Sequence, residues 1–267
     1  MVDLDAYLKR IGYTGSRAPT LDTLRALHLN HALSIPFENI DVLRGMPIEL
    51  DPDSLERKLV HEGRGGYCFE QNLLFGRVLM ALGFSVQRLV ARVLWQRPDD
   101  GTQPRTHMLL FVQLGEGGYI SDVGFGGLTL TGPLRLEPDV EQATPHEPFR
   151  IRRDGREFIV EVRVRGEWRP QYRFDLQEQR EIDIDVLSHY VSTHPTSPFR
   201  SRLMAALVAE DRRFQLRDRE FTVYHRDGRE ERRELETVPA LRATLRSAFG
   251  IRLPDEADVD AALARVL

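Results

Sequence analysis

The sequence contains very little cysteine: Cys68 is the only one among 267 residues. A single cysteine excludes an internal disulfide, and it excludes any metal site built from two or more thiolates. Lysine is nearly absent as well, since all basic residues except Lys9 and Lys58 are arginine. We attribute this bias to the base composition of the gene rather than to phosphate binding.

Long apolar runs are also lacking, because no stretch approaches the ~18 residues that a membrane-spanning helix requires. Residues 1–15 contain acidic side chains and no apolar centre, which is unlike a secretory signal. We therefore expect a cytoplasmic protein without a membrane partner, whose thiol stays reduced. The net charge of −4 gives no reason to expect nucleic acid as a partner.

Hydrophobic periodicity changes along the chain. The first third follows a helical period, the middle follows a strand period with short turns, and the last part is mixed. We predict helices at 21–33, at about 50–60 and at 69–82, with caps at Thr20 and Asp51 and a stop at Gly83. Strands are predicted at 85–95, 107–114, 119–123, 158–164 and 168–174. The last part is predicted to contain helices at 184–192, 238–249 and 256–266 and a hairpin at 221–234.

The most informative segment surrounds Cys68. Gly65 and Gly66 predict a tight turn directly before a helix, so that Cys68 lies at or next to the helix N-terminus. Free N–H groups and the helix dipole favour a thiolate there and can also receive an oxyanion. The alternative is a small buried apolar cysteine, which is common; the glycine turn and the helix start favour the nucleophile.

A thiolate nucleophile needs a base, and the base needs a group that orients it. Among the eight histidines, His107 stands out because it opens an apolar strand after a polar loop. Asp122 follows 15 residues later, the length of one hairpin, so that neighbouring strands can bring the two side chains together. The alternatives are a strand-end histidine without a role and an aspartate exposed at a turn.

Two further segments carry candidate residues. Phe37 is predicted to line a pocket, and Glu38 to pair with Arg64 and thereby fix the loop that carries Cys68. The glycines after Asp122 allow the backbone to approach a ligand closely. No set of His, Asp and Glu residues has the spacing of a metal site, so no metal is expected.

Together these segments resemble the arylamine N-acetyltransferase family. The matching strings are IPFENI at 35–40, RGGYCFEQN at 64–72, THM at 106–108, DVGFG at 122–126 and SPF at 197–199. The order Cys, His, Asp and the separations of 39 and 15 residues agree with the family pattern. The resemblance covers residues 5–200; the tail beyond Phe199 has no motif that supports it.

The resemblance implies an α+β fold with a cysteine-protease-like catalytic core. Residues 1–84 would form a helical bundle that carries the nucleophile. Residues 85–183 would form an antiparallel β-barrel that carries the histidine and aspartate, and residues 184–267 would form an α/β lid.

The resemblance also implies a ping-pong reaction through an acetyl-cysteine thioester. Cys68 would be the nucleophile, His107 the base and Asp122 the orienting group, with acetyl-CoA as co-substrate and an arylamine, hydrazine or arylhydroxylamine as acceptor. Other residues are implied to line the pocket (Phe37, Val93, Phe125, Phe199), to lie where CoA approaches (Thr106, Gly124, Gly126) or to form a structural pair (Glu38, Arg64). The implied role is xenobiotic metabolism; the sequence leaves the oligomeric state open.

Three other interpretations remain at this point. The same triad order serves thiol hydrolases and transglutaminase-like enzymes, which would carry no acetyl group after exposure to acetyl-CoA. A variant within that family is an amide synthase, which forms amide bonds intramolecularly on a polyketide chain held by a carrier protein. A non-enzymatic interpretation is a redox or small-molecule binding module with Cys68 as the sensor.

Overall fold

The computed structural model describes residues 2–115 and 117–267. Within that range the chain alternates helical and extended segments. The helices are α1 Leu4–Arg10, α2 Leu21–Ser34, α3 Ile40–Arg44, α4 Pro52–Glu56, α5 Cys68–Ala81, α6 Glu181–Thr193, α7 Val238–Phe249 and α8 Ala257–Ala264, with a π-helical turn at Arg57–His61 and a 3-10 turn at Pro198–Arg200. The strands are β1 Phe37–Glu38, β2 Ser85–Val93, β3 Arg105–Leu114, β4 Gly117–Ser121, β5 Leu134–Arg135, β6 Glu141–Gln142, β7 Phe149–Asp154, β8 Glu157–Val164, β9 Glu167–Phe174, β10 Met204–Ala209, β11 Arg212–Arg217, β12 Glu220–His225 and β13 Glu230–Glu234.

The helices of the first third begin and end close to where the sequence predicts. The side chain of Thr20 caps α2, and that of Asp51 accepts two backbone N–H groups at the start of α4. Helix α5 begins one residue earlier than predicted, at Cys68, and Gly83 follows its end with a φ of +89°. Local capping chemistry therefore decides these boundaries.

The middle of the chain forms an eight-stranded antiparallel sheet that curls into a nearly closed barrel. Its strand order is β5-β4-β3-β2-β9-β8-β7-β6, and a compact apolar core fills its interior. The predicted hairpins β3–β4 and β8–β9 are confirmed. Strand β4 ends at Ser121, so Asp122 lies just beyond the strand rather than within it. The connection between the strands predicted at 107–114 and 119–123 includes Glu116, which lies outside the described residues.

A second, five-stranded sheet has the order β1-β10-β11-β12-β13. Its apolar face packs against α7 and α8 in a core of its own. Strand β1 comes from the N-terminal third, which was predicted as purely helical, and β1 also forms a parallel bridge between Phe37 and Gly66. The loop before Cys68 is thereby attached to the second sheet.

The N-terminal helices pack around the buried helix α5, which lies against β2 and β3. The end of α5 that carries Cys68 therefore meets the rim of the barrel and the edge of the second sheet. No helix in the described part of the chain combines the length and apolarity needed to cross a bilayer. The boundaries predicted at 84/85 and 183/184 stay predictions.

Candidate active site

Cys68 is the first residue of α5, and its side chain is nearly fully buried. The N–H of Tyr67, the residue before the helix, donates to Oε2 of Glu70 at 3.0 Å. The Cys68 thiol donates to the backbone carbonyl of Thr106 at 3.7 Å. The sulfur therefore lies where the N-terminus of α5 meets the start of β3, next to His107.

Gly65 and Gly66 are needed for space rather than for an unusual turn, which corrects the sequence interpretation. Neither has a positive φ. A Cβ on Gly65 would fall 2.0 Å from the carbonyl oxygen of Pro36, and one on Gly66 would fall 2.7 Å from Oε2 of Glu70. The glycines thus let the loop pass against β1 and against the side chain that caps α5.

His107 and Asp122 are directly hydrogen-bonded, with His107 Nε2 at 2.7 Å from Asp122 Oδ2. Both side chains are buried. Burial alone would lower the pKa of His107, but the Asp122 carboxylate and hydrogen bonds to Asp122 and Cys68 raise it to about 10. Burial would raise the pKa of Asp122, but the same ring holds it below its usual value. The structure thus brings a thiol, an imidazole and a carboxylate together.

Asn72 holds the Asp122 carboxylate from the opposite side. Its Nδ2 donates to Asp122 Oδ1 at 3.0 Å and to the Met108 carbonyl at 2.8 Å, and its Oδ1 accepts the Val123 N–H at 3.1 Å. The Gly124 N–H also donates to Asp122 Oδ1, at 2.9 Å. Both carboxylate oxygens are therefore occupied, so the acid has one orientation.

Aromatic rings surround the imidazole. The Phe125 ring meets His107 edge-on with centroids 5.3 Å apart, and the Tyr172 ring lies 5.0 Å from it. Val93, at the end of β2, pairs with Tyr172 on β9, and Tyr172 in turn contacts the imidazole. Gly124 is pressed against the catalytic helix, since its Cβ would fall 2.8 Å from the Cys68 Cα.

Two other predicted pocket residues, Phe37 and Phe199, pack against the core cluster that contains Cys68. The rings of Phe37 and Phe199 are 6.2 Å apart, and Phe199 is 5.9 Å from the ring of Tyr67. A Cβ on Gly126 would be in contact with the Phe37 ring at 3.6 Å. The predicted aromatic residues therefore border the site from β1, from the loop after Asp122 and from the 3-10 turn.

Glu38 and Arg64 form a buried ion pair at 2.8 Å, and this pair is part of a larger network. Asp41 accepts from both Arg64 at 3.0 Å and Lys58 at 2.6 Å, and Lys58 donates to Glu70 at 2.7 Å. Burial would raise the pKa of Asp41, but the two cations hold it well below its usual range. The network thus connects Arg64 to the carboxylate that caps α5.

Sequence reasoning assigned no role to Asn72, Tyr172, Lys58 or Glu70. For Asn72 and Glu70 the sequence does contain a local signal. Asn72 is four residues after Cys68, on the same face of a helix whose other buried residues are mostly apolar. Glu70 follows Tyr67 by three residues, the spacing of a capping carboxylate. Tyr172 and Lys58 come from distant segments, and no local pattern marks them.

Comparison with known proteins agrees with this geometry. A family model described as N-acetyltransferase matches residues 20–259. The chain belongs to the arylamine N-acetyltransferase family. Arylamine N-acetyltransferase of Mycolicibacterium smegmatis is 46% identical over 272 residues, covering 100% of this chain and 98% of that protein. The Escherichia coli arylamine N-acetyltransferase is 44% identical, covering 94% and 90%.

Solved arylamine N-acetyltransferases have the same fold. The Mycobacterium marinum structure superposes with a TM-score of 0.95 at 43% identity, covering 99% of both chains. That protein has also been solved in complex with CoA. The Salmonella typhimurium structure gives a TM-score of 0.93 at 38% identity, covering 99% of both chains. As a member of this family the chain is an acyltransferase with mixed helices and strands around a nearly closed barrel.

Proposed function

We propose that this protein transfers the acetyl group of acetyl-CoA to an arylamine, hydrazine or arylhydroxylamine by a ping-pong mechanism through acetyl-Cys68. The observation that carries the proposal is the 2.7 Å hydrogen bond between His107 and Asp122, next to a Cys68 thiol that reaches the carbonyl of Thr106, the residue before His107. Family membership supplies the reaction class. The geometry supplies a nucleophile, a base and an orienting carboxylate.

In the first half-reaction the Cys68 sulfur attacks the thioester carbonyl of acetyl-CoA. The C–S bond to CoA breaks, and the imidazolium of His107 protonates the leaving thiolate. A thioester is exchanged for a thioester, so this step is close to balanced in free energy. N–H groups of the first turn of α5 have no acceptor within the helix and are available to the tetrahedral oxyanion.

In the second half-reaction the acceptor amine attacks the acetyl carbonyl, and His107 removes the amine proton. The Cys68 thiolate leaves, and the imidazolium regenerates its ion pair. Asp122 keeps the ring oriented through both steps, because its two oxygens are held by His107, Asn72 and Gly124. No step in this sequence requires a metal.

The acceptor is proposed to bind among aromatic side chains. Phe125 against His107, and the neighbouring rings of Phe37 and Phe199, offer apolar surface. Val93, which pairs with Tyr172, is proposed to belong to the same lining. Backbone at Thr106, Gly124 and Gly126 is proposed as the approach of CoA, because Thr106 and Gly124 lie directly against Cys68.

The wider layout is proposed to be a helical bundle, a barrel and an α/β lid around a cysteine-protease-like core. Helix α5 against the barrel is the arrangement that supports it, because it brings a helix N-terminal thiol to a strand-borne histidine. We further propose a cytoplasmic enzyme of xenobiotic metabolism, with CoA and small amines as its partners.

The experiment measures CoA release from acetyl-CoA with a panel of arylamines and hydrazines. We expect release that depends on the amine and that is abolished in Cys68→Ala, with near-ultraviolet circular dichroism confirming that the variant folds. Amine-independent release would indicate a thiol hydrolase instead. Full activity in Cys68→Ala would contradict the proposal.

A further inference from the structure

Arg213 on β11 reaches from the five-stranded sheet into the loop that follows Asp122. Its side chain is 3% exposed, which is rare for an arginine. Nη2 donates to the Thr129 carbonyl at 3.1 Å, and Nη1 donates to the Gly127 carbonyl at 3.4 Å. Nε and Nη2 also bind the Glu147 carboxylate at 3.0 and 2.5 Å. One guanidinium thus joins β11 to the loop after Asp122 and to the segment between β6 and β7.

The Arg213–Glu147 pair is charged. Burial would raise the pKa of Glu147, but the adjacent guanidinium holds it below its usual value. A buried arginine is stable only where its N–H groups have partners, and here a carboxylate and two carbonyls provide them. Removing the guanidinium would leave these three acceptors without a charged donor.

The loop held by Arg213 is cross-linked to the triad. The Thr129 hydroxyl donates to the Asp122 carbonyl at 3.1 Å and accepts the Phe125 N–H at 3.3 Å. The Thr129 N–H donates to the Gly126 carbonyl at 3.0 Å. Segment 122–129 is therefore a closed loop whose far end is fixed by Arg213 and whose tip places Phe125 against His107.

The second sheet approaches this loop at close range. A Cβ on Gly127 would fall 3.2 Å from the side chain of Gln215, which lies two residues after Arg213 on β11. Ala206, opposite Gln215 on β10, is a small residue beside the loop, and it also pairs with Phe37. The position of the second sheet therefore constrains segment 124–127.

We propose that Arg213 is a positioning residue: it fastens segment 122–129 to the five-stranded sheet and so sets the wall formed by Gly124, Phe125 and Gly126. Only the predicted effect on the KM for acetyl-CoA rests on the proposed function. His107 and Asn72, which hydrogen-bond the Asp122 carboxylate, lie outside the segment that Arg213 fastens. Loss of Arg213 should therefore affect donor binding and leave thiol activation unchanged.

The test compares Arg213→Met with Arg212→Met. Arg212 is the adjacent residue on β11, and its guanidinium pairs with Asp211 at the surface. Hydrogen exchange of segment 122–129 should accelerate about tenfold in Arg213→Met, because the segment opens more readily without its anchor, and stay at the wild-type rate in Arg212→Met. The KM for acetyl-CoA should rise about tenfold in Arg213→Met, with a smaller change in kcat.

Two further measurements separate positioning from a purely structural role. The pH dependence of Cys68 alkylation by iodoacetamide should match wild type in Arg213→Met. Glu147→Gln, which keeps both carbonyl contacts, should change exchange and KM in the same direction by a smaller factor, and it serves if Arg213→Met does not fold. Arg213→Lys should recover little, since one ammonium cannot reproduce the planar fork.

Three results would overturn the proposal. The first is a lower melting temperature in Arg213→Met with wild-type KM and exchange, which would leave only a scaffold role. The second is an altered alkylation profile, which would mean that the triad itself moves. The third is equal behaviour of the two methionine variants. If wild type transferred no acetyl group, the proposed function would fail, whereas the exchange comparison would still decide whether Arg213 holds the loop.

Discussion

At the scale of single residues, the account depends on how His107 acts on Cys68. The imidazole lies between the thiol and Asp122, and its pKa is raised to about 10 mainly because the carboxylate outweighs burial. A positively charged imidazole beside a sulfur favours the thiolate, which is the reactive form. We therefore expect the Cys68 thiol to react with alkylating agents at a pH well below that at which an ordinary cysteine reacts.

We expect iodoacetamide to alkylate Cys68 at a rate that is already maximal near pH 7. In His107→Gln the rate should rise only as the pH approaches about 8.5, where a free thiol ionises. His189→Gln serves as the control, because His189 is exposed on α6. A wild-type rate that follows the same late rise as His107→Gln would show that no ion pair exists.

A second residue-scale prediction concerns Asn72. Asn72→Ala removes a donor to Asp122 and leaves the Val123 N–H and the Met108 carbonyl without that partner. We expect a loss of about 1–3 kcal/mol in the free energy of unfolding, measured with urea, because buried polar groups lose their hydrogen bonds. Turnover should fall as well.

The matched control is Asn30→Ala on α2, which should change neither quantity. Turnover in Asn72→Ala equal to that of wild type, at a temperature where the variant is folded, would mean that Asn72 does not orient the acid.

At the scale of elements, the loop before α5 is set by close packing against β1. The Glu38 N–H donates to the Gly66 carbonyl at 3.1 Å, and the Gly66 N–H donates to the Pro36 carbonyl at 3.3 Å. These bonds bring the backbone of the loop so near to β1 that a side chain on Gly65 does not fit. The position of Cys68 is thus decided by two elements that are 30 residues apart in the chain.

Gly65→Ala should therefore destabilise the protein and reduce activity together. Its Cβ would fall 2.0 Å from the Pro36 oxygen, so the backbone must shift. Overpacking of this kind lowers the free energy of unfolding by about 1–3 kcal/mol. We expect a value near the upper end, because the Cβ would meet a backbone atom. Gly132→Ala is the control, since its nearest atom would be 3.8 Å away. Equal melting temperatures for the two variants would contradict this packing argument.

Sequence patterns predicted the elements that have strong local signals. Helices α2, α5 and α7 have apolar periodicity and recognisable caps or stops, and the β8–β9 hairpin has a turn containing Gly166 between alternating strands. Strands β7, β10 and β11 were not predicted. Strand β11 has the sequence RRFQLR, whose arginines hide the alternation of apolar and polar residues that marks a strand. One of them, Arg213, is buried because it pairs with Glu147, which is distant in the sequence.

The same distinction holds within the site. Cys68, His107 and Asp122 were candidates because a glycine pair, an apolar strand and a hairpin length each leave a local signal, and the family resemblance implied their roles. The location of Asp122 was predicted inside the strand, and it lies just after it, because β4 ends where the carboxylate begins to accept from Gly124. Tyr172 could not be predicted, since its approach to His107 depends on how the barrel curls.

At the scale of the whole molecule, two buried histidines make folding sensitive to acid. Burial lowers the pKa of His28 to about 4 and that of His31 to about 3. Both rings are hydrogen-bonded in the neutral form, to Leu130 and Ser121 and to Gln71 and Tyr7, respectively. The unfolded chain protonates these histidines near pH 6.5. Between pH 6.5 and pH 4 the unfolded state therefore binds more protons than the folded state. The free energy of unfolding decreases as the pH is lowered through this range.

His107 does not offset this loss. Its folded pKa lies above its unfolded value, so below pH 6.5 it is protonated in both states. Its contribution to stability is complete in that range and is lost only as the pH rises toward 10.

We expect urea denaturation to show the free energy of unfolding dropping between pH 6.5 and 4 by up to about 1.4 kcal/mol per pH unit for each buried histidine. Replacing both His28 and His31 with glutamine should flatten this dependence, and His189→Gln should leave it unchanged. An identical slope in the double variant would show that these histidines are not the source of the acid sensitivity.

The proposed function requires Cys68 to carry the acetyl group between donor and acceptor. Mass spectrometry of the protein after brief exposure to acetyl-CoA tests it most directly. We predict one added acetyl group, located on the peptide that contains Cys68, absent in Cys68→Ala and lost when an arylamine is added. An acetyl group on another residue, or turnover of arylamine without any acetylated Cys68, would contradict the account.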